Sequence, residues 1–345
     1  MRVGERTIEL THPDRVLFPD DGITKADLAA YYAAVAEWMV PHVAGRPVNL
    51  QRFPEGIAHP GFFQQEMPEY FPDWIASVVV SKAGGELRHV VIEDAATLVY
   101  LANQACITPH AWLSRVDDLE HPDQMIFDLD PAGTDDPLVR PAALRLGALL
   151  HELGLPAFVK TSGSRGYHVV VPLDRSADYD TVRTFAQDTA ALLARVHGAH
   201  LTTEVRKRQR RGRILIDTLR NAYAHTAVPP YAVRARRGAP VALPLAWEEL
   251  EDPAMHPQRF PLREVPGLLA RREDPWRAMA TTRAALRPAR ARLDALLAEH
   301  GPARERIPRR IGPAGPDPSG TAGAKPSVRS PALTRQRQAF PGPPR

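Results

Sequence analysis

The chain has 345 residues, of which 44% are hydrophobic and 24% charged. That composition excludes a disordered or fibrous protein and allows one or two buried cores. A single cysteine, Cys106, excludes an internal disulfide framework and a cysteine-based zinc site, and no apolar run reaches the length of a membrane span.

The net charge of +4 is unevenly spread. From Gly301 to Arg345 there are nine Lys/Arg against two acids, together with ten of the 35 prolines. The body of the chain is therefore about −3 by the same count. The composition of 301–345 predicts a disordered basic tail, because it holds too little apolar surface to offset the entropy of ordering it. The start, "MRVGERTIELTHPDR", is charged throughout and has no signal-peptide core, which points to the cytoplasm.

In chain order, "GITKADLAAYYAAVAEWMVPHV" predicts a helix with Thr24 as N-cap, Asp27 in its first turn, an Ile23–Leu28 staple and Pro41 as its stop. "RPVNLQRFP" reads as a strand and "GFFQQE" as part of the loop after it. "ELRHVVIED" and "MIFDLDP" are strands with a helix over "ATLVYLANQACI" between them. "DPLVRPAALRLGALLHELGL" is a helix ended by Gly154. Strand "AFVKTS", turn "GSRG" and strand "YHVVVPL" then form a hairpin. A helix over "YDTVRTFAQDTAALLARV" and strand "RILIDT" follow, and 245–300 reads as mostly helical. Hairpins mixed with helices fit an α+β fold, with no boundary before about residue 300.

"MIFDLDP" raises the chemical question. On a strand, Asp128 and Asp130 share one face while Leu129 points into the core. Two adjacent carboxylates repel unless a cation lies between them. Alone, a D-x-D at a strand end more often marks solvated or helix-capping acids. A second apolar strand, "RILIDT", ends in Asp217, and three converging carboxylates suit one or two Mg²⁺ or Mn²⁺ ions. In "KTSGSRGYH", Ser162, Gly163 and the turn amides can form an anion-binding nest, with Lys160, Arg165 and His168 adding charge; the same residues also read as a plain hairpin with a polar tip. P-loop, K-x-D-G and H-E-x-x-H motifs are all missing.

Together "FFQQE", "HAWLSR", "FDLDP", "KTSGSRGYHVVVPL", "IDTLRN" and "PPYAVRAR" closely resemble the polymerase domain of bacterial ligase D, of the archaeo-eukaryotic primase superfamily. The resemblance runs from about residue 5 to about 300 and implies a primase-like catalytic core. It implies Asp128, Asp130 and Asp217 as catalytic metal ligands for Mn²⁺ or Mg²⁺. Arg52, His110, Ser162, Gly163, Arg165, His168 and Arg234 would surround the incoming nucleotide. Phe62 and Phe63 would stack on bases, and Arg15 and Lys25 would grip a 5′-phosphate. Lys25 also stands in the first turn of its helix, where amides and dipole favour an anion. The basic run "RKRQRRGR", 206 to 213, would contact the DNA backbone. The family commonly has Lys at Arg165 and at Gln65, an aromatic at Thr218, and a more acidic-apolar lead in place of "CITPH".

The function implied is template-directed addition of NTPs or dNTPs to a 3′-hydroxyl, in end joining or gap repair, by a free-standing polymerase or excised domain. The implied partners are DNA with gaps or double-strand ends, nucleoside triphosphates, Ku and a DNA ligase, with no membrane, at the nucleoid. A primase that starts strands de novo and a non-catalytic end-binding module are the alternatives.

Overall fold

The computed structural model describes residues 1–301 apart from Ala83, Thr134 and Asp135. The basic tail expected over 301–345 lies, beyond Gly301, outside the described residues.

The chain opens with two small hairpins, β1 (Arg2–Val3) with β2 (Arg6–Thr7) and β3 (Val16–Phe18) with β4 (Ile23–Thr24). Thr24 then caps α1 (Lys25–Ala34) through a complete capping box with Asp27. Ile23 and Leu28 are both buried in the adjoining core. The helix expected to run on to Pro41 instead breaks at Val35, and α2 (Ala36–Val43) contains Pro41. Proline removes one intrahelical donor, so the helix ends within a turn of it and not at the proline itself.

Strands β5 (Pro47–Arg52), β6 (Phe62–Gln64), β7 (Ser77–Lys82) and β8 (Gly85–Val91) follow; α3 (Ala95–Asn103) then leads into β9 (Cys106–Trp112). "GFFQQE" is therefore partly strand: Phe62 and Phe63 lie opposite Arg52 and Gln51. β9 was not apparent in the sequence, since Pro109 interrupts it and its residues do not alternate.

The second half supplies β10 (Gln124–Asp130), α4 (Val139–Glu152), β11 (Phe158–Thr161), β12 (Tyr167–Pro172), α5 (Tyr179–Val196), β13 (Leu201–Thr202), the short α6 (Lys207–Arg210) and β14 (Ile214–Asp217). β15 (Thr226–Ala227) returns to the first sheet, ordered β15-β9-β5-β8-β7 with β6 also on β5. β16 (Pro244–Leu245) closes the second, ordered β13-β14-β10-β12-β11-β16. Beyond it the expected helical stretch is mostly turns. Only α7 (Val265–Leu269) and α8 (Leu286–Glu299) are α-helical, because Pro253, Pro257, Pro261 and Pro275 interrupt propagation.

The fold is α+β. One core packs α1, α2 and α3 on the first sheet. Another packs α4, α5 and α8 on the outer face of the second, where Met125, Phe127 and Leu129 meet Leu146, Phe185 and Leu293. Leu113, Ile126, Val170, Ala227 and Trp276 join the inner faces of the two sheets. Residues 126, 128 and 130 alternate with that outer set, so the aspartates face inward, toward the first sheet. Among the described residues no helix is long and apolar enough to cross a membrane.

One buried side chain fixes β10 laterally. Asn221, fully buried, accepts from Ile126 N at 2.8 Å and donates to Ile126 O at 2.7 Å and Thr218 O at 3.0 Å. Asn221→Ala leaves both Ile126 groups without these partners. We expect a loss of about 2–4 kcal/mol in urea unfolding, whereas substitution of exposed Leu219 leaves the midpoint unchanged.

Candidate active site

Strand register builds the centre of the site. Asp217 on β14 lies directly opposite Asp128 on β10; Asp128 lies opposite His168 on β12, and His168 opposite Lys160 on β11. A polar row thus crosses four adjacent strands on one face. Asp130 stands one same-face position further along β10, opposite Leu215.

The row is electrostatically tense. Burial pushes Asp128 up to about 6, aided by the charges of Asp217 and Asp130 and opposed by those of Arg220 and Lys160. Burial takes Lys160 down to about 7, with Arg234 adding to the fall. Burial and the neighbouring cations hold His168 well below the ordinary histidine value, so its Nε2, 3.6 Å from Asp128 Oδ1, belongs to a neutral ring at pH 7. Lys160 is 1% exposed, and neither its Nζ nor His168 Nδ1 has a hydrogen-bond partner among the described residues.

Asp130 is neutralised from both sides, by Arg165 Nη2 at 2.9 Å and Arg210 Nη1 at 3.0 Å. Asp217 Oδ1 accepts from Leu219 N at 2.8 Å. Among the described residues no three donors already form a closed metal cluster, and arginines occupy both Asp130 oxygens. The donor set itself is all carboxylate oxygen, which suits a hard divalent cation. The raised proton affinity of Asp128 marks where positive charge is wanted.

Beside the row, the 162–166 turn differs from an open nest. Ser164 N and Gly166 N donate to Ser162 Oγ at 3.2 and 3.1 Å, and Ser162 N bonds Gly166 O. These three amides are used internally, as in the plain-hairpin reading of the turn. Because both acceptor positions of Ser162 Oγ are taken, its O–H remains to donate outward. Gly163 has φ +59° and passes so close to Arg234 that a Cβ would lie 2.7 Å from Cγ of that residue. Arg234 Nη1 in turn donates to Ser162 O at 2.7 Å. On the facing sheet His110 is held down to about 3 by burial and by Arg234, Arg220 and Lys160. Phe63 packs edge-on against it at 5.1 Å.

Arg52 departs from the place expected for it. Its guanidinium donates to Gln104 O, Gln64 Oε1 and Tyr70 Oη and lies 5.7 Å from the Phe62 ring. Its charge acts on Lys25, not on Asp128. Arg52 therefore belongs with Arg15 and Lys25. Lys25 is buried, its Nζ on Thr11 O at 2.5 Å; burial, then Arg15 and Arg52, lower its proton affinity. The first-turn amides are not free for an anion, which corrects the expectation above. Lys25 N bonds Arg15 O, Ala26 N bonds Pro13 O, and Asp27 N bonds Thr24 Oγ1. Phe62 and Phe63 are 47% and 58% exposed.

Three residues at the site were not singled out by sequence. Lys160 read only as added charge beside the turn, Arg210 was hidden in a run of exposed cations, and Arg220, although inside "IDTLRN", was given no role. Periodicity does mark Lys160, two residues before Ser162 on the same strand face as His168 is on its neighbour.

Acids on adjacent strands, with hydroxyl and guanidinium donors beside them, make an arrangement able to hold a divalent cation next to a phosphate group. Residues 24–276 match the LigD primase-polymerase domain model, and the chain belongs to that family. It is 33% identical to the multifunctional non-homologous end joining DNA repair protein LigD of Mycobacterium tuberculosis H37Rv over 263 residues, 73% of this chain and 34% of that protein. It is 34% identical to the Pseudomonas aeruginosa multifunctional non-homologous end joining protein LigD over 290 residues, 82% of this chain and 34% of the relative. The structure matches the polymerase domain of M. tuberculosis ligase D, solved in complex with DNA, with a TM-score of 0.76 and 32% identity. That match covers 81% of this chain and 100% of the other. The chain spans about a third of the length of these curated relatives.

The raised Asp128 value has a testable sign. Its carboxyl holds a proton more tightly folded than unfolded, so its contribution to stability is fully present below about pH 4 and lost as pH rises through about 6. Asp128→Asn should therefore stabilise the metal-free protein at pH 7 by about 1–3 kcal/mol. The gain should vanish below pH 4, as read by denaturant unfolding across that range.

Proposed function

We propose that the protein extends a 3′-hydroxyl on a DNA template with NTPs or dNTPs, releasing pyrophosphate, in the repair of gaps or double-strand ends. The observation that supports this most directly is the in-register row Asp217–Asp128–His168–Lys160 beside the Ser162 turn.

In this reading Asp128, Asp130 and Asp217 hold Mn²⁺ or Mg²⁺. A divalent cation there supplies charge neutralisation for the triphosphate and acidifies the attacking hydroxyl. Ser162 donates its free O–H to a phosphate oxygen. Arg234, anchored on the Ser162 carbonyl, presents its guanidinium to the same group. Arg165 leaves Asp130 to reach the triphosphate, since one planar fork cannot serve both. Neutral His168 and His110 bind as hydrogen-bonding rings, adding no charge to a site already rich in it. Gly163 permits the close approach of Arg234 to the turn.

Phe62 and Phe63 stack on bases, each stacked base contributing roughly 1–3 kcal/mol. Arg15, Lys25 and Arg52 attract a 5′-phosphate; Arg15 is the more exposed contact, and buried Lys25 supplies field from behind it. Exposed Arg206, Lys207 and Arg208 follow the DNA backbone. The reading places the protein at the nucleoid in the cytoplasm, working with Ku and a DNA ligase.

Primer extension on a gapped, 5′-phosphorylated duplex tests this. Wild type should add nucleotides and release pyrophosphate with Mn²⁺ or Mg²⁺, and Asp128→Ala, Asp130→Ala and Asp217→Ala should each add none while unfolding cooperatively. Near wild-type extension by any of the three would remove the metal assignment.

End recognition is tested separately. The downstream 5′-phosphate should strengthen binding about ten- to a hundred-fold, the range of a charge-assisted contact. Arg15→Ala or Lys25→Ala should remove most of that gain. Equal wild-type affinity with and without the phosphate would overturn the end-binding role.

A further inference from the structure

Arg220 stands three residues beyond Asp217, on the turn that leaves β14. That turn is fixed at both ends. Leu219 N bonds Asp217 Oδ1, Asn221 N bonds Thr218 O at 3.1 Å, and the buried Asn221 side chain grips Ile126 on β10. The Arg220 backbone is therefore held beside the carboxylates, while its side chain is exposed. Among the described residues its side chain has no hydrogen-bond or ion-pair partner.

Its charge nevertheless reaches into the site. It acts on His110 and Arg234 across the site. The guanidinium is near the carboxylates yet paired with none of them, which leaves it free to pair with an anion of a ligand.

Position decides which anion. The donors suited to a triphosphate, namely Ser162, Arg165, Arg234, His168 and Lys160, lie on the β11–β12 side of Asp128. Arg220 lies on the opposite, β14 side. In phosphoryl transfer the attacking and leaving oxygens are roughly in line, on opposite sides of the phosphorus. If the triphosphate occupies the β12 side, the strand bearing the attacking hydroxyl enters over β14.

We propose that Arg220 binds the last phosphodiester of the strand being extended, and so positions its 3′-terminal nucleotide; this rests on the polymerase reading above. The guanidinium would pair with the two non-bridging oxygens of that linkage, the bidentate geometry to which arginine is suited.

The test combines a variant with a neutralised phosphate. On primer-template DNA, R220A should raise the KM for DNA about ten-fold, the effect of one charged contact, and leave the KM for nucleotide within about two-fold. The salt dependence of DNA binding should flatten by about one charge, and R220K should restore the slope while recovering affinity only in part. A methylphosphonate at the terminal linkage should weaken wild type by the same factor and leave R220A unaffected. A rise in nucleotide KM with DNA KM unchanged would overturn the assignment, as would a methylphosphonate penalty equal in the two proteins. If wild type extends no primer at all, the polymerase reading fails; if it extends primers but R220A matches it throughout, only the Arg220 role fails.

Discussion

Two carboxylates held in register on neighbouring strands are the constraint from which the rest of the structure follows. Asp128 and Asp217 are direct cross-strand partners at the centre of a six-stranded sheet, and like charges placed so are destabilising. The sheet tolerates them because the same register places Met125, Phe127, Leu129, Ile214 and Ile216 in the helical core. A slip of one residue would bury the acids and expose that set. Asn221 adds a lock to β10 that does not depend on ladder pairing. The apolar face secures the register, and the polar face pays for it in electrostatic strain.

The surrounding cations divide by how firmly they are committed. Arg210 is nearly inaccessible, fixed to Asp130, Glu204 O and Val205 O, and so behaves as part of the scaffold. Arg165 holds the other Asp130 oxygen from a third-exposed position and can be recruited elsewhere. Arg234 is anchored through one nitrogen and Arg220 not at all. Lys160 and the two histidines are kept wholly or partly neutral by burial. A site ordered this way can accept a highly charged ligand by redistributing arginines already present, without carrying an excessive positive field when empty.

What the sequence made legible was local or periodic. The D-x-D strand, the hairpin around "GSRG", the Thr24–Asp27 capping box and the Gly154 stop each depend on a few adjacent residues, and all are present in the fold. What the sequence hides depends on competition between groups far apart along the chain. Arg52 turned to Gln104 because α3 brings that carbonyl within reach of a long side chain. The amides of the 162–166 turn and of the α1 N-terminus looked available until Ser162 Oγ, Arg15 O and Pro13 O were found to occupy them. Within "RKRQRRGR" nothing periodic separates Arg210, which faces inward, from its exposed neighbours. The stretch after 245 has a mostly helical pattern, but Pro253, Pro257, Pro261 and Pro275 break it into turns.

On the proposed reading, the first sheet links the nucleotide-binding and end-binding groups. β5 pairs with both β6 and β9, so one short strand, Phe62–Gln64, meets the two basic groups at once. Phe62 lies under Arg52, which acts on Lys25, while Phe63 packs on His110, which faces Asp128's sheet. As neighbours on one strand the two rings take opposite faces, Phe62 toward Arg52 and Phe63 toward His110. On the proposed reading, bases stacked there sit at a fixed offset from both a 5′-phosphate and the carboxylates. The span between an end and the next base to be copied would then be set by β-sheet geometry, independent of loop conformation.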